Sequence, residues 1–280
     1  MAILGIDLGG TNVRVGLVDE VRLLRSESAP VPAAGSVDDV LQVIFGLIDK
    51  VIGPEVRGIG VGVPSVIDLK EGVIYDVQNI PSWKKVPLKS LLQERYRIPA
   101  YINNDANCFA VAEKYYGQGK PYDHIVGLIV GTGLGAGVIA NGRLYSGANC
   151  GAGEFGMVPY LDKILEYYAC GQFFKNVHAT SGREMADRAG RGDPEALGIF
   201  RDFGRHLGEA VKVVMYAADP EIIILGGSVS RSYRFFQESL WASVREFAYS
   251  ITLENIKIEI SKVENIALLG AAALFFDANR

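Results

Sequence analysis

One short pattern occurs twice in this chain, and the repetition constrains the fold more than any other feature. In Gly5-Ile6-Asp7-Leu8-Gly9-Gly10-Thr11-Asn12-Val13-Arg14-Val15-Gly16, an apolar run ending in an acidic residue meets a Gly-Gly-Thr turn and returns apolar. From Ile125 to Ile139 an apolar run meets Gly131-Thr132-Gly133 and again returns apolar. Such hairpins suit phosphate. Glycines let the backbone turn with φ > 0 and bring N–H groups close to phosphate oxygens, Thr11 adds a hydroxyl donor, and Asp7 can hold Mg²⁺ through water. Either hairpin alone also reads as an ordinary turn, because short Gly-rich motifs match by chance. Together they point to two related lobes serving one nucleotide.

The uncharged stretch Ile125 to Ala140, with its GxxxG spacings, has a rival reading as a membrane helix. It is shorter than the roughly 18 to 20 residues of a span and crowded with poor helix formers. With 280 residues, 49% of them hydrophobic, and a net charge of -4, the chain is expected to be globular and soluble, with two domains. A pI near 5.5 without a long Lys/Arg run offers no footprint for nucleic acid, and no membrane partner is expected. The first strand starts at once with no signal-like segment ahead of it, and Cys108, Cys150 and Cys170 are too scattered for a disulfide framework. A cytoplasmic location is the expectation.

Strands and helices alternate along the chain, as in an α/β protein. Ile3 to Ile6 reads as a strand buried on both faces. A helix follows, with Ser36 as its cap, Asp38 and Asp39 in its first turn, and Val37, Val40, Leu41, Ile44, Leu47, Ile48 and Val51 on one face, until Gly53-Pro54 stops it. Gly58 to Val63 and Ala100 to Ile102 read as strands, and Pro87 to Tyr96 and Asn104 to Tyr116 as helices. After Gly117-Gln118-Gly119-Lys120-Pro121 comes the second hairpin. Glu195 to Ala218 keeps helical spacing up to Asp219-Pro220, Ile222 to Leu225 is a strand ending in Gly226-Gly227, and Ala267 to Phe276 is a helix built for close backbone packing. The expected lobes are residues 1–118, joined by the C-terminal helix at about 266–280, and residues 119–265.

Read together, Asp7-Leu8-Gly9-Gly10-Thr11, Gly62-Val63-Pro64, Asn79-Ile80-Pro81-Ser82-Trp83, Asn104-Asp105-Ala106-Asn107, Gly131-Thr132-Gly133-Leu134-Gly135, Gly153-Glu154-Phe155-Gly156 and Leu225-Gly226-Gly227 resemble, in order and spacing, the ROK sugar kinases. The resemblance implies a two-lobed actin-like (ribonuclease H-like) ATPase fold with a nucleotide and sugar cleft between the lobes. ATP would be held by Asp7, Gly9, Gly10, Thr11, Asn12, Gly131, Thr132, Gly133, Gly226 and Gly227, with Mg²⁺ at Asp7. Asp105 falls on the family's catalytic base, and a carboxylate within reach of the attacking hydroxyl is what phosphoryl transfer needs. The local alternative is that Asp105 and Asn104 only cap their helix. Asn104 matches a residue that hydrogen-bonds ring hydroxyls, Asn79 lines the same cleft, and Glu154 and Glu166 match carboxylates that accept from sugar hydroxyls.

Two departures stand out. The resemblance implies a His after Gly-Glu-x-Gly and a cysteine cluster holding structural zinc; here Met157 and Pro159-Tyr160-Leu161-Asp162-Lys163-Ile164 stand in those places. Structural zinc takes about four N or S ligands. No zinc is expected, and the loop is expected to be held by apolar packing of Tyr160, Leu161 and Leu165. Ser65 replaces the usual Gly after the Pro, adding a hydroxyl donor or changing nothing. The implied activity is ATP-dependent phosphorylation of the primary hydroxyl of a hexose, glucose first, with fructose or an N-acetylhexosamine open. A weak or inactive sugar sensor is the alternative from another class, because some ROK members are repressors with an N-terminal helix-turn-helix ahead of the first strand. A homodimer is an open assembly.

Overall fold

Strand β1 (Ala2–Leu8) takes up the first apolar run, and every residue in it except Asp7 is buried. It pairs antiparallel with β2 (Asn12–Val18), which in turn carries β3 (Leu23–Pro30). Helix α1 (Val37–Val51) follows a complete capping box: the Asp39 N–H donates to the Ser36 hydroxyl at 3.2 Å, and the Ser36 N–H donates to the Asp39 carboxylate at 2.8 Å. Its buried face is Val40, Leu41, Ile44, Leu47, Ile48 and Val51, each side chain contributing roughly 1.5–3 kcal/mol when fully buried. Then come β4 (Val56–Val63), a small antiparallel sheet of β5 (Val66–Asp68), β6 (Val73–Tyr75) and β7 (Lys85–Val86), helix α2 (Leu88–Tyr96), β8 (Ala100–Asn104) and helix α3 (Asp105–Tyr115). The main sheet runs β3-β2-β1-β4-β8, with β1, β4 and β8 parallel.

The computed structural model describes residues 1–77 and 79–280. The chain divides into two units, Met1–Pro121 with Arg143–Ala152 and Lys262–Arg280, and Tyr122–Gly142 with Gly153–Ser261. The sequence-based boundaries placed all of 119–265 in one lobe; the stretch Arg143–Ala152 groups instead with the first unit. In that unit the C-terminal helix Ile266–Ala278 lies against the sheet at backbone distance. A Cβ at Gly60 would fall 1.7 Å from the Ala271 carbonyl oxygen, and one at Gly5 2.0 Å from that of Leu268. Side chains larger than hydrogen at those two positions would push the helix off the sheet.

In the second unit β9 (Ile125–Val130) and β10 (Leu134–Ala140) form an antiparallel hairpin. The uncharged stretch is therefore two strands, and among the described residues no helix is long and apolar enough to cross a membrane. The strand Ile222–Gly226 pairs parallel with β9, and Lys257–Ile260 pairs parallel on its other side. The long helix Pro194–Ala218 starts with Pro at its first position behind the cap Asp193 and ends at Asp219 in the left-handed conformation. It supplies Phe200 and Phe203 to an aromatic core with Phe173, Phe174 and Phe236, all buried.

Candidate functional site

In the first unit, strand register brings the site residues to one edge. Asp7 pairs with Gly62, Gly62 with Asn103, and Val63 with Asn104, so the carboxyl ends of β1, β4 and β8 lie side by side. Ligands of open α/β sheets bind at such ends. Asp105 opens α3, and its Oδ1 accepts the Ala106 N–H at 2.9 Å. The side-chain oxygen of Asn104 accepts the same N–H at 2.9 Å, so both residues cap the helix, where its dipole favours a negative charge. One turn on, the Cys108 thiol is pushed well above its usual pKa, first by burial and then by the Asp105 and Asp7 carboxylates.

The other predicted residues of this unit fall around the first hairpin and the β8–α3 junction. Thr11 and Asn12 are exposed at the turn, which the Gly9 N–H closes by donating to the Asn12 carbonyl at 3.0 Å. Asn79 lies on the hairpin, since a Cβ at Gly10 would stand 2.4 Å from its own Cβ. The Asn104 amide donates to the Ser65 carbonyl at 3.3 Å, while the Ser65 hydroxyl donates to the Tyr75 carbonyl. Ser65 thus ties β6 to this loop.

Sequence reasoning missed three contributors here. Asn103 is buried, and its oxygen accepts from the Asn104 N–H at 2.8 Å, the Asn107 amide at 2.8 Å and the Cys150 thiol at 3.4 Å. Asn107, in the first turn of α3, is the second. Arg14 is the third; its Nε and an Nη donate to one oxygen of Asp7 at 3.0 and 2.7 Å.

In the second unit the hairpin turn is braced from the side. The Gly171 N–H donates to the Gly131 carbonyl at 2.7 Å, and the Cys170 thiol, its pKa pushed up by burial to about 11, donates to the Thr132 carbonyl at 2.9 Å. Glu166 accepts the Leu134 N–H at 2.8 Å and lies against Gly133. Gly227 turns with φ +85, where a Cβ would meet the Val130 carbonyl oxygen at 2.4 Å, so Gly226-Gly227 crosses directly over the hairpin. Gly153 has φ +97 against the Ala136 carbonyl, and the exposed Glu154 follows it. Beside the hairpin opens a cavity of about 800 Å³, lined by Gly131, Thr132, Lys175, Arg183, Ser228 and Val229 among others.

The loop that departs from the resemblance is built differently from expectation in one respect. Leu165 is buried and Tyr160 half-buried, but Leu161 is 69% exposed at φ +52 and stays out of the core, because it is the first residue of a two-residue turn between Pro159–Tyr160 and Lys163–Ile164. Met157 is also exposed. Among the described residues no group of three or more His, Cys, Asp or Glu side chains could hold a metal. Asp7, at the mouth of the sheet with 22% of its side chain exposed, suits a single water-mediated hold on Mg²⁺ rather than a cage.

The family model described as ROK matches residues 3–278. Glucokinase of Thermotoga maritima is 30% identical, over 98% of this chain and 97% of its own length. N-acetyl-D-glucosamine kinase of Pectobacterium atrosepticum is 30% identical, over 83% of this chain and 86% of its own. The crystal structure of a ROK family glucokinase from Streptomyces griseus in complex with glucose and AMPPNP aligns with a TM-score of 0.80 at 25% identity, covering 98% of this chain and 99% of that one.

Proposed function

The chain belongs to the ROK family and has its actin-like ATPase fold, and on that premise we propose that it transfers the γ-phosphoryl group of ATP to the primary 6-hydroxyl of a hexose, glucose before fructose or an N-acetylhexosamine. The observation that carries this reading is Asp105, a carboxylate fixed at the start of α3 beside the hairpin end of β1.

Asp105 takes the hydroxyl proton as the sugar oxygen bonds to the γ-phosphorus. The bond from that phosphorus to the β,γ-bridging oxygen breaks, ADP leaves with the negative charge, and the proton passes from Asp105 to solvent. Backbone N–H groups of Gly10 to Asn12 and of Thr132 and Gly133 hold phosphate oxygens, while those of Gly9 and Gly131 close the turns that present them. Mg²⁺, held through water by Asp7, would supply neutralising charge at the phosphates. Asn79, Asn104, Glu154 and Glu166 orient the sugar, with Met157 leaving one end of the ring without a donor. The cavity beside Gly131 and Gly227 takes the base and ribose, Lys175 and Arg183 standing on its wall. A cytoplasmic enzyme, free or as a homodimer, fits this activity.

ADP release measured against a panel of hexoses and N-acetylhexosamines tests the reading. Turnover with one or a few of them is expected. Sugar binding without ADP release from any would replace the kinase by a sensor.

A further inference from the structure

We propose that Arg14 couples the divalent cation to the nucleotide: in the free protein its guanidinium holds the Asp7 carboxylate, and on binding of a nucleoside triphosphate it moves to the phosphates and leaves Asp7 to the metal. The inference rests on the phosphate role proposed above for the first hairpin.

Arg14 stands directly across the β1–β2 ladder from Asp7. Its neighbours Val13 and Val15 are wholly buried on the opposite face, so strand alternation turns Arg14 and Asp7 to the same side. Both guanidinium donors fall on a single carboxylate oxygen, Oδ2. The pair is not sealed in the core: 41% of the Arg14 side chain and 22% of the Asp7 side chain remain exposed. A half-exposed ion pair adds little to stability, so exchanging its partner is cheap.

The position is also chemically specific. Arg14 is the one cation from Gly5 to Gly16, and its planar fork matches two oxygens of a phosphate at once. At the equivalent cross-strand place in the second hairpin, two residues before the turn, stand Ile129 and Gly135. The ion pair therefore belongs to one phosphate hairpin and is not a requirement of the hairpin fold. While Arg14 neutralises Asp7, a cation arriving alone gains little there. A triphosphate brings anionic oxygens that draw Arg14 away, and the freed carboxylate then attracts the cation. By linkage, each ligand strengthens the other by the same factor.

Calorimetric titration separates this role from a structural one. Mn²⁺ alone and MgAMPPNP are each titrated into wild type, Arg14→Met and Arg14→Lys, after thermal melts confirm folding. Arg14→Met should bind Mn²⁺ about tenfold more tightly than wild type and MgAMPPNP about ten- to a hundredfold more weakly, the scale of a lost charge-assisted hydrogen bond. Arg14→Lys, which keeps the charge without the fork, should fall between and serves if the Met variant does not fold. Adding Asp7→Asn to the Met variant should abolish its gain in Mn²⁺ affinity. Mn²⁺ affinity equal in wild type and both variants overturns the proposal, as does MgAMPPNP affinity that survives the loss of Arg14. Wild type that ignores MgAMPPNP altogether fails the kinase reading itself, and this inference with it.

Discussion

The Tyr160 hydroxyl meets Nδ1 of His206 at 3.0 Å with the two rings nearly perpendicular, tying the short hairpin after Met157 to the long helix Pro194–Ala218. Tyr168 and Phe173 pack on the same imidazole. Burial lowers the His206 pKa, against the pull of Asp202 and Glu209. In the unfolded chain the imidazole charges as pH falls through about 6.5, whereas the folded one stays neutral to lower pH. His206 should therefore contribute its full stability above about pH 6.5 and lose it as pH falls toward the depressed folded value. Melting temperatures of wild type and His206→Gln at pH 7.5 and pH 5 check this: the variant should show the smaller acid loss, and equal losses would count against it.

Leu161 spends an exposed leucine on a left-handed turn position. Left-handed backbone costs a non-glycine residue roughly 1–2 kcal/mol, and nothing is gained here by burial. Leu161→Gly should raise the melting temperature by about 2 °C or more, as expected for a gain of this order in a chain of this length. A fall on differential scanning would mean that the leucine makes contacts in solution that offset the strain.

Asp105→Asn keeps the shape of the side chain and its acceptor for the Ala106 N–H, but cannot take a proton. Turnover should drop at least about a hundredfold, with sugar and nucleotide affinities close to wild type. Near-normal turnover would remove Asp105 from the chemistry and leave it as a helix cap.

Gly10→Val places a branched side chain where Asn79 already stands, 2.4 Å away at the first atom. It should weaken both ATP and sugar in equilibrium titrations of folded protein, because the displaced Asn79 is one of the residues proposed to orient the sugar. Gly133→Val should act on both ligands, because its first carbon would lie 2.6 Å from the Glu166 carboxylate. ATP affinity unchanged in the folded Gly10 variant would count against the phosphate role of the first hairpin.

We expect the purified protein to hold no stoichiometric zinc and its melting temperature to ignore chelators. A structural zinc contributes many kcal/mol through several deprotonated ligands, while the Met157 to Leu165 region is held by Leu165 in the core and by the Tyr160–His206 contact. Elemental analysis giving about one zinc per chain would reverse this and direct attention to Cys150, Cys170 and His178.

Much of this architecture was legible in the sequence where the physics is local. Ser36 and Asp39 satisfy each other three residues apart, Asn104 caps the helix that follows it, Asp219 ends a helix at a proline, and the two glycine turns announce their hairpins. Leu161 shows the limit: composition suggested packing, but the hairpin placed it at the tip, where no core is within reach.

What only the tertiary structure decided is how the site's polar groups are partnered. Glu166 gives its carboxylate to the Leu134 N–H 32 residues away, the Cys150 thiol goes to Asn103 across 47 residues, and Arg14 answers Asp7. A turn or cap is closed by atoms that the chain itself holds within four residues, so residue type suffices to foresee it. A partner brought from beyond that reach, whether 7, 32 or 47 residues away, is selected by strand register and by the packing of whole elements, which no single residue encodes.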